Sequence, residues 1–232
     1  MATDPPSRGR DAPLHWHAFA NGVWSPFYGF AIWLVGRVFP RRFDFEVRGR
    51  EHLPATGGVL VVANHLADID PPFLCLACAP RPAITLGASR HFAHRPLGYL
   101  LSALGTVPLR MGTADVRALR VASEHLRAGR LVVIYPEGRP SFSDRLGGFA
   151  EGAGLLGLIE GVTVVPAAIW GAHQILKGRW PLGRGPVRVV FGAPVRPPST
   201  GRRREQARAM TAEVRSVIET MVTGLAAGDP PD

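Results

Sequence analysis

Apolar and polar positions recur in one order along this chain: a short apolar run, a polar or Gly/Pro-rich break, then a helical stretch. Residues 43–49 alternate apolar and charged side chains, the period-two pattern of a strand with one solvated face. Residues 59–63 form an unbroken apolar run behind Gly57-Gly58, which predicts a buried strand ending at Asn64-His65. A short helix is expected over 71–79, since proline is tolerated in a first helical turn and Asp70 is a preferred N-cap. Residues 83–87, 106–109, 131–134, 162–170 and 187–191 read as further strands. Helices are predicted over 96–103, 114–127 and 146–160. In the second of these, Val116, Leu119, Ala122 or Ser123, and Leu126 make the apolar face, and Gly129 is a suitable stop. An amphipathic tail over 202–225 is expected to dock on the sheet. Strands alternating with helices from about 43 to 192 predict a three-layer α/β domain, with no internal repeat.

The N-terminus follows another pattern. Residues 1–13 are polar and Pro/Arg-rich and read as a disordered tail. From Ala18 to Gly36 there is no charge, and Phe19, Trp24, Phe27, Tyr28, Phe30 and Trp33 crowd the stretch before Arg37, Arg41 and Arg42 close it. A transmembrane helix needs about 20 predominantly apolar residues, and Asn21, Ser25, Pro26 and several glycines interrupt this one. Trp and Tyr suit a membrane interface, having an apolar body and a polar edge. Residues 14–42 are therefore expected to form a helix that lies in or dips into one leaflet, with arginines on anionic head groups. The competing reading is a helix packed on the domain's own core. No clear small-residue cleavage site follows, which argues against a cleaved leader. The remaining 43–232 would be the functional domain.

A hydrophobic fraction of 46% is ordinary for a soluble domain and low for a multi-span membrane protein. The formal charge of +9 comes almost wholly from arginine, Lys177 being the only lysine. That balance favours anionic partners: phosphate-bearing ligands or an acidic membrane surface. Nucleic acid is disfavoured, because the basic residues are scattered and no recognition motif is present. Cys75 and Cys78 form a lone CxxC within an apolar run, so buried structural thiols are expected rather than zinc.

Two strand ends carry the candidate chemistry. The first delivers Asn64-His65 and, five positions after the histidine, Asp70. On one helix those two side chains would diverge by about 140° (from ~3.6 residues per turn). A strand-end loop instead lets the carboxylate curl back onto the imidazole, fixing its tautomer and leaving the other nitrogen free as a base. Asp70 also reads as a helix cap alone. The second is Tyr135-Pro136-Glu137-Gly138-Arg139-Pro140-Ser141, after the apolar run 131–134. Two buried strands ending in polar loops suggest one pocket at one edge of a sheet.

Asn64-His65-(four residues)-Asp70 resembles the NHxxxxD motif of the glycerolipid acyltransferases, the family that includes enzymes acylating 1-acylglycerol-3-phosphate. Tyr135-Pro136-Glu137-Gly138 is similar to its FPEGTRS block. The stretches 105–110 and 165–169 are similar to its intervening and fourth blocks. Together the four span about residues 44 to 195 in family order.

The resemblance implies a central mixed, mostly parallel sheet of about seven strands flanked by helices, to which the N-terminal aromatic-rich helix would be added. It also implies transfer of a fatty acyl group from acyl-CoA or acyl carrier protein to a lysophospholipid hydroxyl at the cytoplasmic face of the cell membrane. These thioesters are co-substrates, with no other cofactor and no metal expected, although Asp68 and Asp70 beside His65 imitate a metal site. His65 would be the base and Asp70 its orienting acid. Asn64, Arg110, Glu137, Gly138, Arg139 and Ser141 would hold substrate, with Arg110 placed for an acceptor phosphate. Arg139-Pro140 departs from the block, putting the guanidinium one residue early and removing an N–H. Where the family often carries a Lys and an acid, this chain has Ser89, Arg90 and His91, and His91 and His94 are expected to face solvent. No GxSxG nucleophile elbow is present, which counts against a serine hydrolase.

Overall fold

The computed structural model describes residues 26–110, 115–143, 145–175 and 183–228. The chain forms α1 (Pro26–Arg42), β1 (Asp44–Arg48), β2 (Gly58–Ala63), α2 (Asp70–Ala77), β3 (Ala83–Ala88), α3 (Arg95–Ala103) and β4 (Thr106–Leu109). It continues with α4 (Val116–Arg127), β5 (Leu131–Ile134), α5 (Gly152–Gly157), β6 (Val162–Trp170), α6 (Ala172–Ile175), β7 (Pro186–Phe191) and α7 (Arg203–Ala227). The strands make one seven-stranded sheet in the order β1-β7-β6-β2-β5-β3-β4. β6, β2, β5, β3 and β4 run parallel; β7 is antiparallel to β6, and β1 runs with β7. This is the mixed, mostly parallel sheet that the resemblance implies, within the α/β architecture that the alternation of elements predicts.

The layers follow from strand geometry, because successive side chains point to opposite faces. Every residue of β2 is buried. Val59, Val61 and Ala63 join the cluster that holds Phe73 and Leu74 of α2, while Leu60 and Val62 join Leu126 of α4, Leu156 of α5 and Met210 and Ile218 of α7. A strand covered on both faces needs an unbroken apolar run, which is what residues 59–63 supply. Cys75 and Cys78 are buried free thiols in the first cluster. Burial pushes Cys75 up to about 12.

Two elements differ from the sequence reading. The helix expected over 146–160 is only the short α5, because the backbone ahead of it is committed elsewhere: Ala150 N–H donates to Pro136 O (2.9 Å) and Gly147 N–H to a carboxylate oxygen of Glu137 (2.8 Å). A Cβ at Gly147 would lie 2.9 Å from that oxygen. In α4 the buried face is Ala118, Ala122, His125 and Leu126, and Val116 is exposed. Asp115 caps this helix, accepting from Arg117 N and Ala118 N, so Val116 is its first residue and points outward. Of the helix expected over 14–42, α1 covers 26–42; residues 14–25 lie outside the described residues, as does the tail 1–13. Tyr28 of α1 is buried, and its hydroxyl accepts a hydrogen bond from Ala83 N at the start of β3 (3.0 Å). Phe27, Phe30, Trp33, Leu34 and Val38 of the same helix are exposed. Among the described residues no helix is long and apolar enough to cross a membrane.

Candidate active site

β2 and β5 are parallel neighbours, so their C-terminal ends deliver both motif loops to one edge of the sheet. Asn64 immediately follows β2 and is 1% exposed. Its side-chain amide donates to Ile169 O (2.9 Å) and accepts from Ile169 N (2.8 Å), imitating one more rung between β2 and β6. Both ends of the Asn64 amide, expected to contact substrate, are engaged with the sheet.

His65 comes next and leaves the strand. Asp70, the first residue of α2, is fully buried and turns back over the loop. Its Oδ2 accepts from His65 Nδ1 (2.8 Å), Leu66 N (2.6 Å) and Ala67 N (2.9 Å). The loop geometry inferred from the spacing is thus present. A carboxylate at Nδ1 keeps the proton on that nitrogen and leaves the Nε2 lone pair outward. Burial pushes the Asp70 carboxyl above its ordinary range, while the His65 ring and the two amides pull it back. Asp70 Oδ1 is buried with no hydrogen-bond partner. The imidazole, 13% exposed, lies against Tyr135, with ring centroids 4.4 Å apart and planes 27° from parallel.

The β5 loop turns sharply at Tyr135-Pro136-Glu137-Gly138: Gly138 N donates to Tyr135 O (3.0 Å), and Gly138 has φ +73°, a conformation that favours glycine. Glu137 Oε1 accepts from His65 N (2.9 Å) and Oε2 from Gly147 N (2.8 Å). Ser141 N and Phe142 N then donate to His65 O (2.9 Å) and Leu66 O (3.1 Å). Both Glu137 oxygens thus brace backbone while its side chain also lines the larger cavity, and the Ser141 hydroxyl donates to Ser143 O (2.8 Å).

Two cavities meet over these loops. One, of about 350 Å³, is lined by His65 together with Thr85, Leu97, Leu101 and Tyr135. The other, of about 780 Å³, is lined by Arg110, Leu119, Glu137, Phe149 and Arg204. Leu86, Leu109, Tyr135 and Gly138 belong to both walls. Gly138 thus lies where close backbone approach was expected, and Arg110 lines the cavity next to that of His65. Arg139, expected to contact substrate, is exposed and lines neither cavity. His91 lines the His65 cavity rather than facing solvent only, and Arg90 does too. Sequence reasoning missed Tyr135 as the ring beneath the imidazole, although its place directly after β5 was the available signal. Arg204 had none, since it reaches the second cavity from α7. Among the described residues no group of three or more His, Cys, Asp or Glu side chains is placed to hold a metal ion.

The chain was compared with known proteins. It is 29% identical over 176 residues to a chloroplastic 1-acyl-sn-glycerol-3-phosphate acyltransferase of Arabidopsis thaliana, covering 71% of this chain and 47% of that protein. It is 35% identical over 127 residues to a lyso-ornithine lipid O-acyltransferase of Pseudomonas aeruginosa, covering 54% of this chain and 47% of that one. The chain thus spans about half the length of these curated relatives. The crystal structure of the 1-acyl-sn-glycerophosphate acyltransferase of Thermotoga maritima superimposes with a TM-score of 0.69 at 25% identity, covering 92% of this chain and 94% of that one. The profile of the Acyltransferase family matches residues 44–170, more than half of the sequence. The chain belongs to the acyltransferase family, and the matched segment runs from the first residue of β1 to the last residue of β6.

Proposed function

We propose that the protein moves a fatty acyl group from an acyl thioester, acyl-CoA or acyl carrier protein, to the free hydroxyl of 1-acylglycerol-3-phosphate, giving phosphatidic acid. The observation that carries this reading is His65: Nδ1 is bonded to a buried carboxylate, and the ring lines a cavity. Nε2 takes the proton of the acceptor hydroxyl as its oxygen attacks the thioester carbonyl. The carbon–sulfur bond then breaks, and the same nitrogen returns the proton to the departing thiolate. Asp70 offsets the imidazolium charge formed in between. A positioned base contributes ~10²–10⁴ in rate. With no nucleophile on the protein, both substrates must be bound together, and two cavities sharing a wall suit that demand. Arg110 is suited to the acceptor phosphate: among the described residues its guanidinium has no hydrogen-bond or ion-pair partner, and it lines the cavity beyond Gly138. The exposed aromatic face of α1 supports attachment to the surface of an anionic membrane.

A second acceptor, the lysolipid of an amino-acid-headed lipid, is favoured by the Arg139-Pro140 departure and by the Pseudomonas relative's name. One experiment decides. Purified protein receives acyl-CoA or acyl carrier protein with a panel of lysolipids, and free thiol and lipid product are measured. Phosphatidic acid formed only from 1-acylglycerol-3-phosphate is the expected result. Product from a different lysolipid alone would transfer the assignment to it, and thiol release without any acceptor would mark a hydrolase. For the membrane attachment, replacing Phe30 and Trp33 by serine is expected to weaken sedimentation with anionic vesicles, and unchanged binding would refute it.

A further inference from the structure

The β3–β4 edge of the sheet carries a second apolar surface, separate from α1. On α3, Tyr99 is 46% and Leu100 42% exposed. Its inward positions Gly98 and Ser102 are buried, and Leu97 and Leu101 line the His65 cavity. One helix therefore walls the cavity with two of its leucines and shows solvent a tyrosine and another leucine. Exposed apolar side chains grouped at a pocket mouth are unusual for a surface that meets only water.

The charge around the patch is one-sided. From Pro71 through Ala114 the sequence holds no Asp or Glu, while Arg81, Arg90, Arg95 and Arg110 fall within it. Arg90 and Arg95 are exposed and flank the patch, Arg90 also lining the cavity with His91. At the same end of the sheet Phe142 is exposed, its N–H bonded to Leu66 O. Asp68 is the acid that shares the cavity lining, against Arg90 and His91 on the α3 side, and apolar tips flanked by the Arg90 and Arg95 guanidiniums match an anionic phospholipid surface. A protein partner has no comparable reason to require an acid-free stretch this long.

We propose that α3 and its flanking arginines form a second membrane contact, at the mouth of the His65 cavity, through which a lysolipid reaches the imidazole without leaving the bilayer. This deepens the acyltransfer reading and rests on it for the identity of the lipid; the contact itself is tested by binding alone. The full chain with Tyr99→Ser and Leu100→Ser, and separately with Arg95→Glu, is sedimented with vesicles of phosphatidylglycerol and phosphatidylcholine. None of these side chains lines either cavity. Each variant is expected to bind about tenfold more weakly while keeping its thermal midpoint. Arg95→Glu should act only on vesicles containing phosphatidylglycerol. Turnover of vesicle-embedded lysolipid should fall in parallel, and turnover of a short-chain, monomeric lysolipid should not. Vesicle binding equal to wild type in both variants overturns the contact. So does a shift from dimer to monomer with vesicle binding intact, which would give the patch to a second copy of the chain. Wild type that binds vesicles through α3 yet acylates no lysolipid would remove the function and leave the contact standing.

Discussion

The loops leaving β2 and β5 lie side by side and use their polar groups differently. The β2 loop spends Asp70 on holding itself: one oxygen gathers an imidazole nitrogen and two backbone amides, so that a second imidazole nitrogen is left over. The β5 loop spends Glu137, Ser141 N and Phe142 N on bracing backbone, its own and that of its neighbour. The motif-bearing loops thus divide the work. One presents the imidazole proposed as the base and the other braces the backbone that carries it, and similarity of composition does not reveal which is which.

Substitutions sharpen that division, beginning with the imidazole. His65→Ala should cut turnover by ~10²–10⁴ with the thermal midpoint nearly unchanged, because a partly exposed ring is lost and nothing else moves. A residual rate within tenfold of wild type would end the base assignment. Asp70→Asn should lower turnover by about 10²-fold, yet without loss of stability. Burial holds this carboxyl above its ordinary 3.8, so the folded chain resists ionising it. The group therefore favours the fold below that value, and this contribution is lost as pH rises through the folded-state value. An uncharged amide escapes that loss, so the midpoint of the variant relative to wild type should climb with pH from about 4 upward. A variant that melts far below wild type at neutral pH would contradict this. Glu137→Ala should have the smallest effect on rate, roughly tenfold in kcat with little change in acceptor KM, and should lower stability by about 1–3 kcal/mol by releasing two amides. A raised KM at unchanged stability would assign Glu137 to the substrate.

Much of this was legible in the sequence where one local rule was in command. Unbroken apolar runs gave β2 and β5, and the five-residue spacing of His65 and Asp70 pointed to a loop. What was not legible depended on distant partners. Asn64 is answered by Ile169, and Glu137 by His65 and Gly147, and no local pattern announces such pairings. The same competition for backbone shortened α5, since the amides of Gly147 and Ala150 were taken before a helix could use them. α1 has both faces that the rival readings asked for: Tyr28 is buried in the core and Trp33, 59% exposed, faces out.

The hydrogen bond from Ala83 N to Tyr28 has a mechanical outcome. It ties the aromatic helix to the first residue of β3, and the last residue of that strand, Ala88, stands in the wall around the imidazole. A strand extends by about 3.3 Å per residue, so a stiff rod of roughly 16 Å separates the tether from the chemistry. Under the proposed attachment of α1 to a lipid layer, the rod would set how deep the reaction takes place.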